Sequence, residues 1–299
     1  MDKTLRSRRK PSHRLRKKES FAGFLFCLPS AVGMLLFFAA PFGVCVYMSF
    51  AENFNISRFV GLRNYIDVLG SAAFRLAAWN TLKFNLVAVP LIMAVSLAAA
   101  MLLYGKLKGY NIFRTVFVFP LVVPVASVVL FFQIIFSETG TINNILGVFG
   151  IAPADWINSP NSFAVLVLLY LWKNSGYNII LFLSALNSIP RDYHEAADMD
   201  GAGASTRLFK ITLPLIMPYS FFILVISVIN SFKSFREAFV LFGAHPNRGI
   251  YMIWHFMNNN FQNLNYLRLA VGAIMIFAVI FMLVLLLFGL RRKAGDTEL

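Results

Sequence analysis

The chain has 299 residues, of which 59% are hydrophobic and 13% are charged, and its mean hydropathy is +0.70. A soluble domain carries roughly 25% charged residues, so this composition excludes an ordinary soluble protein and predicts an integral membrane protein. The net charge of +14 does not indicate nucleic-acid binding, because nine of the 27 Lys and Arg residues lie in the first 18 positions, directly before the first apolar run.

Six apolar stretches are each long enough to cross a bilayer as a helix. We predict these spans at about 21–50, 81–104, 112–136, 163–187, 214–235 and 269–290. The expected fold class is an all-α integral membrane protein with one transmembrane domain, residues 21–290, between a basic tail, 1–20, and a short tail, 291–299. If the N-terminus is cytoplasmic, 18 of the 27 Lys and Arg residues lie inside, so the positive-inside rule predicts that both termini are cytoplasmic.

Polar side chains interrupt the fourth and fifth predicted spans. Buried polar groups are costly in lipid, so they are expected to face protein or a water-filled path. Amide and aromatic side chains suit a neutral, hydroxyl-rich solute, and helix packing is the competing explanation. The residues predicted to line a solute pathway are Lys173, Asn174, Tyr177, Asn178 and Asn230.

No Asp or Glu falls inside these predicted spans. A proton relay needs a titratable group in the low-dielectric path, so this pattern argues against a self-sufficient ion- or proton-coupled carrier, the alternative that composition alone leaves open.

Some two dozen charged, Ala-rich residues separate the fourth and fifth spans, on the predicted cytoplasmic side. They predict a helix over Arg191–Met199 with Pro190 in its first turn. Gly201 then allows a sharp turn, a second short helix covers Ala204–Lys210, and Pro214 starts the next span. Such a hairpin is either an interfacial lipid-binding segment or a docking surface for a partner. Its carboxylates argue against lipid binding, because the cytoplasmic leaflet is itself anionic.

The same segment does not predict catalysis. His194 and Glu195 resemble the opening of a zinc-protease HExxH motif, but Asp198 stands where the second histidine is needed. The chain also lacks a phosphate-binding GxxxxGK[ST] sequence. We therefore predict no metal, no cofactor and no catalytic residue, and a chain that does not hydrolyse ATP itself.

The loop sequence "EAADMDG", followed by nine residues and "ITLP", resembles the EAA-loop signature of permease subunits of binding-protein-dependent ABC importers. The resemblance covers roughly residues 20–290, and the carbohydrate-uptake branch is indicated by "FVGLRNY", "NTLKF", "GYNIFRTVFVFPLVVP", "GTINNILGVFGI" and "LWKNSGYNIILFLSALNSIP". The outer stretch "FGAHPNRG", followed by "HFMNNNFQNLNY", departs from the family pattern.

The resemblance implies a permease subunit that carries a sugar or oligosaccharide across the cell membrane by alternating access. Its implied partners are a second, similar permease in a heterodimer, two cytoplasmic ATPase subunits and an extracellular solute-binding protein, within membrane lipid. The residues expected to couple the chain to the ATPase are Glu195, Ala196, Ala197, Asp200, Gly201, Ile211, Leu213 and Pro214.

Overall fold

The protein is seen in a computed structural model that describes residues 13–53, 58–105, 110–233 and 235–295. Within these ranges it is helical throughout, apart from turns and one isolated β-bridge between Ala51 and Phe59. Most of the predicted basic tail, residues 1–12, and the last four residues, 296–299, lie outside the described residues. The helices are α1 (His13–Met34), α2 (Ala40–Ser49), α3 (Arg63–Gly70), α4 (Ala72–Tyr104), α5 (Tyr110–Val122), α6 (Val125–Phe136), α7 (Thr141–Val148), α8 (Ser162–Asn187), α9 (Arg191–Met199), α10 (Ala204–Arg207), α11 (Leu213–Phe232), α12 (Phe235–Phe242), α13 (Ile253–Gln262) and α14 (Tyr266–Gly295), with π-helical turns at Leu35–Ala39 and Leu208–Thr212.

Six helical stretches of the described chain are long and apolar enough to cross a membrane, as predicted. They are Gly23–Ser49, Ala72–Tyr104, Val125–Val148, Ser162–Asn187, Ala204–Phe242 and Tyr266–Arg291. The second begins well before the predicted residue 81. The predicted start was too late because Arg75 and Asn80 lower the local hydropathy, although they do not interrupt the helix.

The third predicted span, 112–136, is wrong as one continuous helix. It consists of two helices, α5 and α6, that are separated at residues 123 and 124. Pro124 has φ −56° and ψ 139°, an extended conformation outside α6, and a proline also disfavours the helical conformation of Val123 before it. The stretch that is long and apolar enough to cross a membrane is Val125–Val148, which comprises α6 and α7 and is itself interrupted at residues 137–140.

The centre of the fold is the packing of α4 and α8 along each other, with α11 against both. A hydroxyl of α4, Ser96 Oγ, donates to the Ser175 carbonyl of α8 at 3.3 Å. Next to it, a Cβ on Gly176 would overlap the backbone carbonyl of Phe117, so only glycine allows α5 to lie this close to α8. Small residues thus determine the helix spacing, as is common in membrane proteins.

The fifth span is longer than the predicted 214–235. The short helix α10 does not end before this span, because the π-helical turn at Leu208–Thr212 joins it to α11 without a break. The helical stretch then reaches Phe242 through α12, with Ser234 outside the described residues. This extension places Glu237 in the fifth span, so the expectation that no carboxylate lies in a span is wrong.

The stretch that departs from the family pattern contains α13, a short helix that packs on α4 and α14. Asn80 Nδ2 of α4 donates to the carbonyls of Arg248 and Tyr251 at 2.7 and 2.9 Å. Thr81 Oγ1 accepts the backbone N–H of Ile253 at 3.0 Å. These contacts fix the start of α13 against the N-terminal part of α4.

Candidate functional site

A polar cavity of about 410 Å³ lies between α4, α5, α8, α11 and α12. Four of the five residues predicted to line a pathway, Asn174, Tyr177, Asn178 and Asn230, are brought together in its wall. The lining is completed by Ile92, Leu121, Tyr170, Ser227, Lys233 and Glu237. Hydrogen-bonding groups therefore surround this cavity at the depth of the membrane spans, with apolar contacts from two aliphatic side chains.

Hydrogen bonds hold the amides of this wall in place. Asn174 Nδ2 donates to the Tyr170 carbonyl at 2.9 Å, one turn earlier on α8. Asn178 Nδ2 donates to Ser227 Oγ of α11 at 2.8 Å. The NH2 group of each amide thus donates a hydrogen bond within the protein. The side-chain carbonyl oxygen of each amide accepts none in the described part of the chain, so it can accept a hydrogen bond from a solute hydroxyl.

The fifth predicted residue, Lys173, makes an ion pair instead of lining the cavity itself. Its Nζ lies 2.7 Å from Glu237 Oε1 of α12, and the two side chains are only 11% and 14% exposed. Glu237 lies in the first turn of α12, where a helix favours negative charge. Lys173 thus reaches the cavity wall only through Glu237.

The sequence reasoning did not include Tyr170, Ser227, Lys233 and Glu237 among the lining residues. Tyr170 lies one turn before Asn174 on the same helix, so helical periodicity was a signal that could have found it. Glu237 could not be found this way, since its place in the wall depends on α12 continuing the fifth span and on a partner 64 positions away.

The segment between α8 and α11, which the sequence predicts to be cytoplasmic, forms a compact elbow, which we define as residues 188–212. Ser188 ends α8, and Pro190 lies directly before α9, in an extended conformation, not within its first turn as predicted. Gly201 has φ +71°, the left-handed conformation expected for the turn. The turn is closed by the Ala202 N–H, which donates to the Ala197 carbonyl at 2.9 Å.

The residues predicted to couple to an ATPase, which lie in the elbow and at the start of α11, fall into two groups. Glu195, Ala196, Asp200, Gly201 and Pro214 are exposed, whereas Ala197 is buried and Ile211 and Leu213 are partly buried against the chain itself. The first group can touch a partner, and the second group positions the elbow on the spans.

Three large apolar side chains are also exposed on the elbow. They are Tyr193, Met199 and Phe209, and Met199 is 89% exposed. An ion pair between Asp198 and Arg207 spans the turn and connects α9 to α10. Exposed apolar side chains between carboxylates are typical of a docking surface for a protein.

Two titrating groups lie in and directly before α13. The His255 ring is fully buried, its Nδ1 accepts the Met252 N–H at 3.1 Å, and the Tyr251 ring is stacked on it. Burial, and secondly the nearby His245, lower the pKa of His255 to about 4. Burial likewise raises the pKa of Tyr251 above its usual range. Both groups are therefore uncharged at neutral pH.

The comparison with known protein families decides what this fold is. Residues 91–292 match the family described as "Binding-protein-dependent transport system inner membrane component". The chain belongs to this family. It is therefore a permease subunit of a binding-protein-dependent ABC importer, a multi-pass protein of the cell membrane that is not itself an enzyme.

Similar permeases serve several carbohydrate systems. The chain is 34% identical to the arabinooligosaccharides transport system permease protein AraP of Bacillus subtilis, over 92% of this chain and 89% of that one. It is 31% identical to the trehalose/maltose transport system permease protein MalF of Thermococcus litoralis, over 78% and 81% of the two chains. Permeases of this family work with ATPase subunits and an external binding protein.

The permease fold is confirmed by a solved structure. A chain of a bacterial ABC transporter that imports the acidic polysaccharide alginate superimposes with a TM-score of 0.81 and 22% identity, covering 94% of this chain and 99% of that one. At this identity the likeness establishes the fold and not the solute.

Proposed function

We propose that this permease translocates an uncharged sugar or oligosaccharide by alternating access, using the polar cavity as part of the pathway. The observation that carries the proposal is the connection between cavity and elbow. Helix α8 supplies Asn174, Tyr177 and Asn178 to the cavity wall, and α9 of the elbow begins four residues after α8 ends. A push on the elbow is therefore transmitted directly to the helix that touches the solute.

The cavity chemistry supports a hydroxyl-rich solute. Amide oxygens and nitrogens can both accept from and donate to sugar hydroxyls, and Tyr177 provides an aromatic ring beside them. The arabinooligosaccharide and trehalose/maltose systems of the relatives fit the same chemistry.

The elbow supports a cytoplasmic ATPase as its partner. Its carboxylates Glu195 and Asp200, and its apolar side chains Tyr193, Met199 and Phe209, are exposed within the described part of the chain. In this proposal residues 21–290 form the transmembrane domain, both tails are cytoplasmic, and two ATPase subunits bind the elbows of this chain and of a second permease.

The Glu237 carboxylate in the fifth span does not indicate a proton-coupled carrier. Glu237 is ion-paired with Lys173, and membership of the ABC importer family assigns the energy source to the ATPase subunits.

The test is purification of the tagged chain from its host. The proposal predicts one copy each of this chain and a second permease with two ATPase subunits, together with ATP-dependent uptake of a sugar that the external binding protein captures. Two copies of this chain per complex would overturn the heterodimer. Uptake of none of a panel of maltose, trehalose and arabinotriose would overturn the sugar assignment.

A further inference from the structure

The carboxylate of Glu237 is the only acidic group among the described residues that line the polar cavity. Its Oε1 accepts from Lys173 Nζ at 2.7 Å. Its Oε2 makes no hydrogen bond within the described ranges of the chain. One oxygen is thus fixed, and the other is available at the cavity wall.

Lys173 makes this carboxylate tolerable inside the membrane. An isolated charge is expensive in a membrane span, and a buried ion pair removes most of that cost only when both partners stay in place. The pair itself carries no net charge, so Lys233 is the remaining charged side chain among the described residues that line the cavity.

Holding α12 in place does not require the ion pair. Ala238 and Leu241 of α12 are 0% and 4% exposed, and they belong to two apolar clusters that already anchor this helix. An apolar contact of similar size would tie α12 to α8 at least as well. A charged pair beside a polar cavity therefore needs another reason.

We propose that Glu237 contacts the solute and helps to determine its specificity, and that Lys173 positions and neutralises the Glu237 carboxylate. A carboxylate accepts hydrogen bonds and donates none, so it recognises hydroxyl donors of an uncharged, polyhydroxylated solute. The assignment rests on the proposed use of the cavity as the solute pathway.

The experiment uses proteoliposomes that contain the complete importer, saturated with its binding protein, with radiolabelled maltose, trehalose and arabinotriose as probes. The readout is sugar transported per ATP hydrolysed, together with the yield of assembled complex. The two variants are the charge swap Lys173→Glu/Glu237→Lys and the neutral pair Lys173→Met/Glu237→Gln. The matched control is Glu138→Gln, an exposed carboxylate outside the cavity.

The swap keeps an ion pair between α8 and α12 but places a donor-only ammonium at the wall. We expect assembly and stimulated ATP hydrolysis to persist while sugar transported per ATP falls about tenfold, the loss typical of one hydrogen bond to a charged group. The neutral pair should also transport less sugar per ATP than the wild type, and Glu138→Gln should behave as the wild type.

Wild-type transport by either the swap or the neutral pair would show that the ion pair only ties two helices, and would overturn the proposal. Failure of both variants to assemble would assign the pair to folding and overturn it as well. A wild-type importer that carries none of the three sugars would instead contradict the proposed function.

Discussion

Replacement of Gly201 tests how the elbow is built. Gly201 has φ +71°, and a Cβ added there meets nothing within 4 Å, so Gly201→Ala introduces no clash and its whole cost is the left-handed backbone. That cost is roughly 1–2 kcal/mol for a residue with a Cβ. Gly203→Ala is the matched control, because Gly203 is equally open and has φ −66°.

The strain acts on the turn between α9 and α10. If docking requires this turn, 1–2 kcal/mol weakens ATPase binding roughly 5- to 30-fold. The assay titrates purified ATPase subunits onto the permease pair in nanodiscs and measures half-maximal ATP hydrolysis. We expect Gly201→Ala to require more ATPase, Gly201→Val to require more still, and Gly203→Ala to match the wild type. Equal titrations for Gly201→Ala and Gly203→Ala would refute the reasoning.

Three further predictions concern the pathway, the packing and pH. The double substitution Asn174→Leu/Asn178→Leu should abolish most sugar uptake by an importer that still assembles, because it removes two amides from the cavity wall; unchanged uptake would contradict the pathway. Gly176→Ala should lower the thermal midpoint, since overpacking typically costs 1–3 kcal/mol, whereas Gly147→Ala, which meets open space in α7, should not; equal midpoints would contradict the close helix contact. The pKa of His255 lies near 4 when folded and near 6.5 when unfolded, so the unfolded chain binds its proton first as pH falls; stability should be constant above about pH 6.5 and lower by about 2 kcal/mol at pH 5. Chemical unfolding of the detergent-solubilised chain at pH 7 and pH 5 measures this, and a difference that persists in His255→Leu would contradict it.

The elbow could be predicted from sequence because its determinants are local. Helix formers at Arg191–Met199 and a glycine at position 201 specify helix and turn within a dozen residues, whatever the rest of the chain does. The grouping of Asn174, Tyr177 and Asn178 was equally local, since residues three or four apart share a helix face.

The features that sequence reasoning missed depend on contacts between distant segments or on how a helix continues. Hydropathy alone placed Glu237 in an outer loop, whereas its ion pair with Lys173 depends on the packing of α12 against α8. The break before α6 carried a signal, Pro124, but prolines are tolerated inside membrane helices, as Pro90 in α4 shows. Composition could therefore count the spans without deciding where each one bends.

The central claim is that this chain moves a solute only when an ATPase acts on its elbow. The most direct measurement compares sugar accumulation in vesicles that contain the purified chain alone, under a proton gradient, with vesicles that contain the complete importer and ATP. Accumulation is expected only in the complete, ATP-supplied vesicles. Concentration of a sugar by the chain alone would contradict it.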